Sequence, residues 1–425
     1  MERTDLQRLS KDELIELVLQ LQRPLKNSRT SSMPPSTDRK ERRENSKPGG
    51  AKPGHPGHSR KLCDQPDELR DHVPDVCPGC GAAFCGDEAR SLTGECDSID
   101  LPPITPYVVR HRQFSCRCGA CGLLVKADLP PEAHGTPFGR NIHAMALYLK
   151  GFQALSYERL ARLFSDLFGL SVSQGALMNM FKRTRGRFQA QARKAQALLR
   201  QAKVVASDET GMRIEGGNSY QWVFVCDEAV VHTADFTRAA SVAHTMMDGH
   251  QPQVWLSDRY SAQQKHGVRH QTCLAHLARD AAFADEHGAD SVPSRLKRWF
   301  GQVFDLAKNI TQFARSTILS KQRRLEKALD SILSAPSTCA LAKELQGKIS
   351  RARHQLLTFC DFNGEVEPTN NACERALRPC VIQRKVTNGY RAMWAAQAEA
   401  ALRTTVDTAR LSGKTPYQTI LATLA

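Results

Sequence analysis

Three acidic residues stand where the chain is set to do chemistry. Asp208 closes the apolar run Val204-Val205-Ala206, Asp258 closes Val254-Trp255-Leu256, and Glu374 lies in PTNNACERALRP, early in a helix-forming stretch. A carboxylate that emerges where a buried strand opens to solvent occupies the usual edge for a site on a sheet. A helix packed beside two such strand ends would bring three hard oxygen ligands to one patch. Three carboxylates without thiol or imidazole suit magnesium or manganese rather than zinc. Two such ions, about 4 Å apart, activate an attacking oxygen and steady a leaving one. Phosphodiester exchange uses this arrangement, because negative charge builds on both oxygens in its transition state. The attacker is water when a strand is cut and a 3′-hydroxyl when strands are joined. A plainer reading stands beside this one. Asp after a strand often caps a turn, Asn371-x-x-Glu374 satisfies a capping box, and Asp227, Asp235 and Glu209 also flank strands. Spacing leaves both open.

A second set of ligand types is formed by cysteines. Cys77-Pro-Gly-Cys80-Gly and Cys118-Gly-Ala-Cys121-Gly are two C-x2-C-G turns on either side of a strand-like stretch at Tyr107–Phe114. Each turn points two sulfurs at one place, and its glycine lets backbone amides bend toward them. Four thiolates give the closed tetrahedral shell of structural zinc, which has no open position for chemistry. The intervening length exceeds the commonest spacing, and Cys116 is an alternative to Cys118; Cys85 and Cys96 are read as bystanders. The chain has 14 cysteines and begins MERTDLQRLSKDEL, without an apolar signal core. That favours metal binding or buried thiols over a disulfide framework, and predicts a cytoplasmic protein.

The elements that must position these residues follow from pattern. KVVASDET, SYQWVFVCDE, VVHTADFT and VWLSDRY read as successive strands of one sheet, with Trp222 and Trp255 as core. VRHQTCLAHLARD reads as strand and then helix, residues 291–360 as long amphipathic helices, and the tail as helix ending at Gly413. His276, in CLAHLARD, reads as a packed core histidine before it reads as a group that positions DNA or water. Upstream, SYERLARLFSDLFGLSVSQGALMNMFKRTRG places one amphipathic helix, a break at Gly169 and a second helix from Ser173. That is the pattern of a helix-turn-helix and of any helical hairpin; Lys182, Arg183, Arg185 and Arg187 crowd its end and tilt it toward phosphate. A capping box at Ser10–Glu13 starts a short helix that ends near Pro24. Residues 25–60, rich in Ser, Pro, Gly, Lys and Arg, cannot form a core and read as a basic linker.

At 425 residues the chain exceeds one ordinary core, and 41% hydrophobic residues suffice to build several without a membrane span. The formal charge of +15, from 59 Lys+Arg against 44 Asp+Glu, favours a polyanionic partner such as nucleic acid. Arg375, Arg378, Arg384 and Lys385, beside Glu374, are candidates to grip phosphates or to line a solvated basic face.

Several motifs in one order carry a resemblance. NSRTSSMPPSTD, GHPGH, CPGCG, SDETGMRI, QWVFVCDE, WLSDRY, CLAHLARD, EPTNNACERALRP, RKVTNGY and TARLSG together resemble the IS66-family transposases, through most of the chain. The resemblance implies an RNase H-like catalytic core with its acidic triad on Asp208, Asp258 and Glu374, and a helical insertion after Asp258. It maps the family's zinc-binding region onto Cys77, Cys80, Cys118 and Cys121. Many members continue the Arg-Lys pair with Asn-Trp and Phe-Gly; here Arg384-Lys385 is followed by Val-Thr-Asn-Gly-Tyr, a departure that bears on how this segment meets DNA.

The expected organisation is a multidomain α/β protein. It runs from an N-terminal helix at 1–24 through a basic linker at 25–75 and a zinc module at 76–130 to a helical, DNA-binding region at 131–200. An RNase H-like mixed-sheet core follows at 201–280 and 363–425, interrupted by a helical insertion at 281–362. The expected activity is that of a DNA transposase: it binds the terminal inverted repeats of its mobile element, cleaves there and joins the 3′ ends to target DNA. A homo-oligomer on DNA and other element-encoded proteins are the expected partners. The rivals are an inactive transposase-derived zinc protein that regulates by binding DNA, and a structure-specific nuclease of related fold.

Overall fold

A computed structural model describes residues 10–12, 54–57, 60–86 and 89–425. Most of the expected N-terminal helix, beyond residues 10–12, and most of the basic linker lie outside these residues. The chain divides into two units, Lys40–Thr105 and the remainder, each described by itself.

In the smaller unit the described residues form a single bridge, Val76 to Ala83, closing the turn that holds Cys77 and Cys80. In the larger unit a short antiparallel pair, β1 (Ser115–Arg117) and β2 (Leu124–Lys126), closes the second cysteine turn. The expected strand at Tyr107–Phe114 is not formed. Its ladder begins only where the Ala127 amide donates to the Phe114 carbonyl at 3.0 Å, and Tyr107 and Val108 stand exposed without a partner strand.

Three helices come next: α1 (Arg140–Gly151), α2 (Tyr157–Phe168) and α3 (Gln174–Leu199). Ser156 and Ser173 cap α2 and α3 by accepting amide hydrogens, and Gly169 ends α2 in the left-handed region at φ 62°. The hairpin therefore forms as its sequence dictates. Its second helix runs 26 residues, far beyond the hairpin. The first half packs Leu177 and Met180 against Leu160 and Phe164, and the far end packs Ala195 and Leu199 on the sheet.

That sheet has five strands: β3 (Val204–Ile214), β4 (Gly217–Val225), β5 (Val230–Asp235), β6 (Val254–Ser257) and β7 (Arg269–Thr272), in the order 5-4-3-6-7. β3, β4 and β5 are antiparallel neighbours, whereas β6 and β7 run parallel to β3. Side chains alternate across a strand, so the two faces carry different cores. Val205, Trp222, Phe224 and Trp255 pack toward α3 and α4 (Ser241–Met247), and both tryptophans are fully buried, as expected. Ala206, Val223 and Leu256 pack on the other face against Cys373 and Leu377 of α9 (Asn371–Thr387).

Between β7 and α9 lie α5 (Leu274–His287), α6 (Ser291–Lys308), α7 (Arg315–Leu333) and α8 (Ala340–Ala352), which share a core around Leu296, Trp299, Phe300 and Leu329. The chain ends in α10 (Met393–Leu411) and α11 (Pro416–Thr423), with α10 packed on β5 and α3. No described helix is long and apolar enough to cross a membrane.

Candidate active site

Register brings the first two acids level. β3 and β6 pair in parallel as Val204 with Val254, Val205 with Trp255 and Ala206 with Leu256. Continued by two residues, that offset sets Asp208 beside Asp258. Both share the parity of Ala206 and Leu256, which face α9. β6 ends at Ser257, so Asp258 leaves the strand as expected. Asp208 does not end its strand, contrary to expectation. β3 continues to Ile214 because Thr210–Ile214 finds a partner in β4, across a turn at Glu215 and Gly216.

The third acid is set by pinning α9. Asn370, buried, donates its side-chain amide to the Ser207 carbonyl at 2.8 Å, and its backbone amide to the Cys273 thiol at 3.2 Å. Cys273 in turn donates its amide to the Ser257 carbonyl at 2.8 Å. The start of α9 is therefore tied to the residues that precede Asp208 and Asp258. Glu374 falls in its first turn. The expected capping box is replaced: the N-cap is Asn370, and its side chain is committed across to the sheet rather than to its own helix.

The electrostatics follow from this crowding. Burial pushes the Asp208 carboxyl up to about 8, with the charges of Glu209, Asp258 and Glu374 adding to the shift and a hydrogen bond from the Glu209 amide opposing it. Asp208 thus lies within the field of both Asp258 and Glu374. Asp258 is oriented by the Tyr260 amide, which donates to its carboxylate at 2.8 Å. The Glu374 Oε1 is buried without a hydrogen bond; His276 Nε2 stands 3.8 Å from it and Arg279 Nη1 3.7 Å. His276 is therefore not the packed core histidine expected from the sequence but a half-exposed neighbour of the third acid. Among the described residues no three His, Cys, Asp or Glu side chains, these acids included, stand close enough together to hold a metal ion as they are placed. Like charges with no cation between them stand apart, and an orphaned carboxylate oxygen in a three-acid patch suits a hard divalent ion.

One residue of the patch is marked in the sequence only as a flanking acid. Glu209 accepts from Arg238 Nε at 2.6 Å and from the Gln263 side-chain Nε2, while Ser207 donates to the Gln263 side-chain Oε1. Arg238 also lies over the Tyr260 ring, 3.8 Å from its centroid. This network joins β3, the segment after β5 and the loop after β6, and so fixes Asp208 and Asp258 relative to each other.

The candidate phosphate contacts divide. Lys182 and Arg183 are exposed in the middle of α3, and Arg375, Arg378 and Lys385 are exposed on α9. Arg384 is half-buried and donates to the Gly211 carbonyl on β3, so part of its guanidinium is committed to the fold.

The cysteine turns are alike in backbone. The Gly81 amide donates to the Cys77 carbonyl at 2.8 Å and the Gly122 amide to the Cys118 carbonyl at 2.9 Å, with φ of 74° and 73° at the two glycines. Turn amides and the neighbouring thiol hold the Cys77 and Cys118 thiols below their ordinary range: those of Gly79 and Cys80 at the first, and of Cys121 and Ala120 at the second. Cys118, not Cys116, shares a turn with Cys121; Cys116 sits within β1 opposite Val125. Thiols made easier to ionise, paired on one turn, are a donor set that zinc accepts.

Residues 135–398 match the family model described as "Transposase IS66 family". No curated protein matches the chain.

Proposed function

The chain belongs to the IS66 family of transposases, with DNA as its partner, and from that premise we propose that Asp208, Asp258 and Glu374 form the catalytic site of a DDE-type transposase. The sheet order, three antiparallel strands followed by two parallel ones, supports an RNase H-like core. In this reading the three carboxylates hold two magnesium or manganese ions. When bound, these ions supply activation of the attacking oxygen and stabilisation of the leaving one. The chain's own work is positional: register levels the two aspartates, Asn370 pins the helix of Glu374, and the Glu209–Arg238–Gln263 network fixes the loop of Asp258. Exposed Arg375, Arg378 and Lys385 lie on the same helix as Glu374, placed to meet phosphates of the element's terminal inverted repeats. Arg384 serves the same helix by holding it to β3. Each cysteine turn is assigned a structural zinc role, with Cys77 and Cys80 on one and Cys118 and Cys121 on the other. Zinc content of the purified chain, compared with Cys77→Ser and Cys118→Ser variants, checks it.

The observation that carries the reading is the delivery of two further acids to Asp208 by an adjacent strand and one helix: register sets Asp258 beside it, and the Asn370 tether brings in the helix of Glu374. Asp208→Ala should leave binding to the element ends intact and abolish magnesium-dependent cleavage. A variant that still cuts overturns the triad. A wild-type chain that binds ends but never cuts, with partner proteins supplied, supports the regulatory rival instead. Transfer of cut 3′ ends to target DNA separates a transposase from a nuclease of related fold.

A further inference from the structure

We propose that Arg259 and Arg351 form a phosphate-binding subsite for the DNA backbone beside Asp258, half of it supplied by α8 of the helical insertion. The proposal rests on the reading that the chain acts on DNA and adds to it a specific contact.

Arg259 follows Asp258 directly in the loop after β6, and it is half-buried. Among the described residues its guanidinium makes no ion pair with the three carboxylates. It reaches across to α8, with Nη1 3.4 Å from the Lys348 carbonyl. Arg351 lies three residues further along the same helix, on the neighbouring turn and on the same side, and is exposed. Both arginines thus stand at the C-terminal end of α8.

Their neighbours show that this crowding is not simply a basic helix end. Lys348 is neutralised by Asp280 at 2.8 Å, and Arg353 by Asp330 at 2.7 Å. Among the described residues, Arg259 and Arg351 have no carboxylate within ion-pair distance. The carbonyls at the C-terminus of α8 favour one cation there through the helix dipole. They do not account for a second, half-buried guanidinium brought to the same helix end from the loop after β6. An anion with several oxygens removes that cost, and the planar fork of arginine matches phosphate bidentately.

The insertion is also fixed to the acid that the subsite adjoins. Gln355, just past α8, donates to Gln264 at 3.2 Å, and Gln264 donates to the Asp258 carbonyl at 3.1 Å. A phosphate seated between Arg259 and Arg351 is thereby held at a set position relative to Asp258. The insertion then has a part in the reaction: it presents a second basic contact to the strand being cut, in addition to the basic face of α9.

The test measures affinity for a DNA duplex carrying an element end and its flank, as a function of salt. Arg351→Ala is the primary variant, since an exposed side chain can be removed without touching a core. Arg259→Ala and the double variant follow, and Arg323→Ala, an exposed position on α7, controls for net charge. The subsite holds one phosphate, so losing that phosphate should reduce the slope of log affinity against log salt by about 0.9. The expected result is a slope shallower by about one in Arg351→Ala and in the double variant, with Arg323→Ala unchanged. Slopes shared by wild type and all variants overturn the subsite, as does an equal reduction in the control. Cleavage by Asp208→Ala would overturn the triad while leaving this result standing, and a wild-type chain without affinity for DNA would overturn both.

Discussion

Two polar clusters in this molecule, one buried and one partly open to solvent, treat charge in opposite ways. On α10, Arg403 is fully buried and donates to Glu399, to Gln383 of α9 and to the Cys380 thiol, with Lys150 3.9 Å from Glu399. One turn on, Asp407 meets His232 of β5 at 2.9 Å. Every carboxylate there has a cation. In the patch of Asp208, Asp258 and Glu374, neither aspartate has a cation within ion-pair distance among the described residues, and Glu374 has only His276 and Arg279 at 3.8 and 3.7 Å. Burying charge is costly unless it is paired, so a cluster that closes on itself is explained by the fold alone. A cluster left open is explained by something that arrives. The two lie on opposite ends of α9, which carries Glu374 at its start and Gln383 near its finish. The closed cluster holds the helix that the open one uses.

The sharpest way to break this comparison is to change one charge in each. Arg403→Met leaves Glu399 buried beside a single lysine, and truncating one partner of a buried pair costs about 3–5 kcal/mol. Urea unfolding should show that loss. Asp208→Asn should act in reverse. It should reduce cleavage on the order of 10³-fold, since bound metal supplies several kcal/mol of transition-state stabilisation, while leaving stability unchanged or raised. The Asp208 carboxyl, pushed up to about 8 by burial first, binds its proton more tightly folded than unfolded. Its contribution to stability is therefore present at acid pH and declines as pH rises from the ordinary carboxylate range toward 8. Without added divalent ions, wild type should lose stability across that window and Asp208→Asn should not. Equal losses in the two variants would erase the distinction.

Which cluster was legible in the sequence follows from the same contrast. The open one was, because each acid is marked by a local signal: an apolar run ahead of Asp208 and Asp258, and a helix start ahead of Glu374. The helix stop at Gly169 and the caps at Ser156 and Ser173 were equally local. The closed cluster was not, because Glu399 and Arg403 sit in an alanine-rich helix where charges ordinarily face water, and only packing against β5, α1 and α9 buries them. The persistence of β3 beyond Asp208 was hidden for a related reason, since Gly211 and Arg213 break the apolar run and the strand survives on its ladder with β4. The role of Glu209 needed partners 29 and 54 residues away, a separation that no periodicity encodes.

That long-range network offers an intermediate test. Arg238→Ala removes the cation from Glu209 and the guanidinium over Tyr260, without deleting any of the three acids. Loss of a group that orients metal ligands typically costs about 10–100-fold. Cleavage should fall by roughly that factor, with Arg238→Lys recovering little, because a lysine cannot both lie over the ring and fork onto the carboxylate. A variant that loses activity only in proportion to its folded fraction would make Arg238 a structural residue.

The smallest effect expected is a titration in the closed cluster. Burial pulls the His232 imidazolium down, but hydrogen bonds and charge from Asp407 and Cys380 together outweigh this and the net shift is upward. A histidine whose folded pKa exceeds its unfolded one adds stability that is complete below the unfolded value, about 6.5, and is lost as pH rises through the folded value. Wild type should therefore lose melting temperature across a window that opens near neutrality, while His232→Gln and Asp407→Asn, each with half the pair gone, should be less stable at about pH 6 and flatter above it. Because the open cluster's own decline runs on the same side of the pH scale, the measurement belongs in an Asp208→Asn background, where only the His232 window remains. A slope that vanishes in that background would assign all the pH sensitivity to the acidic patch, and the closed cluster would then hold His232 neutral.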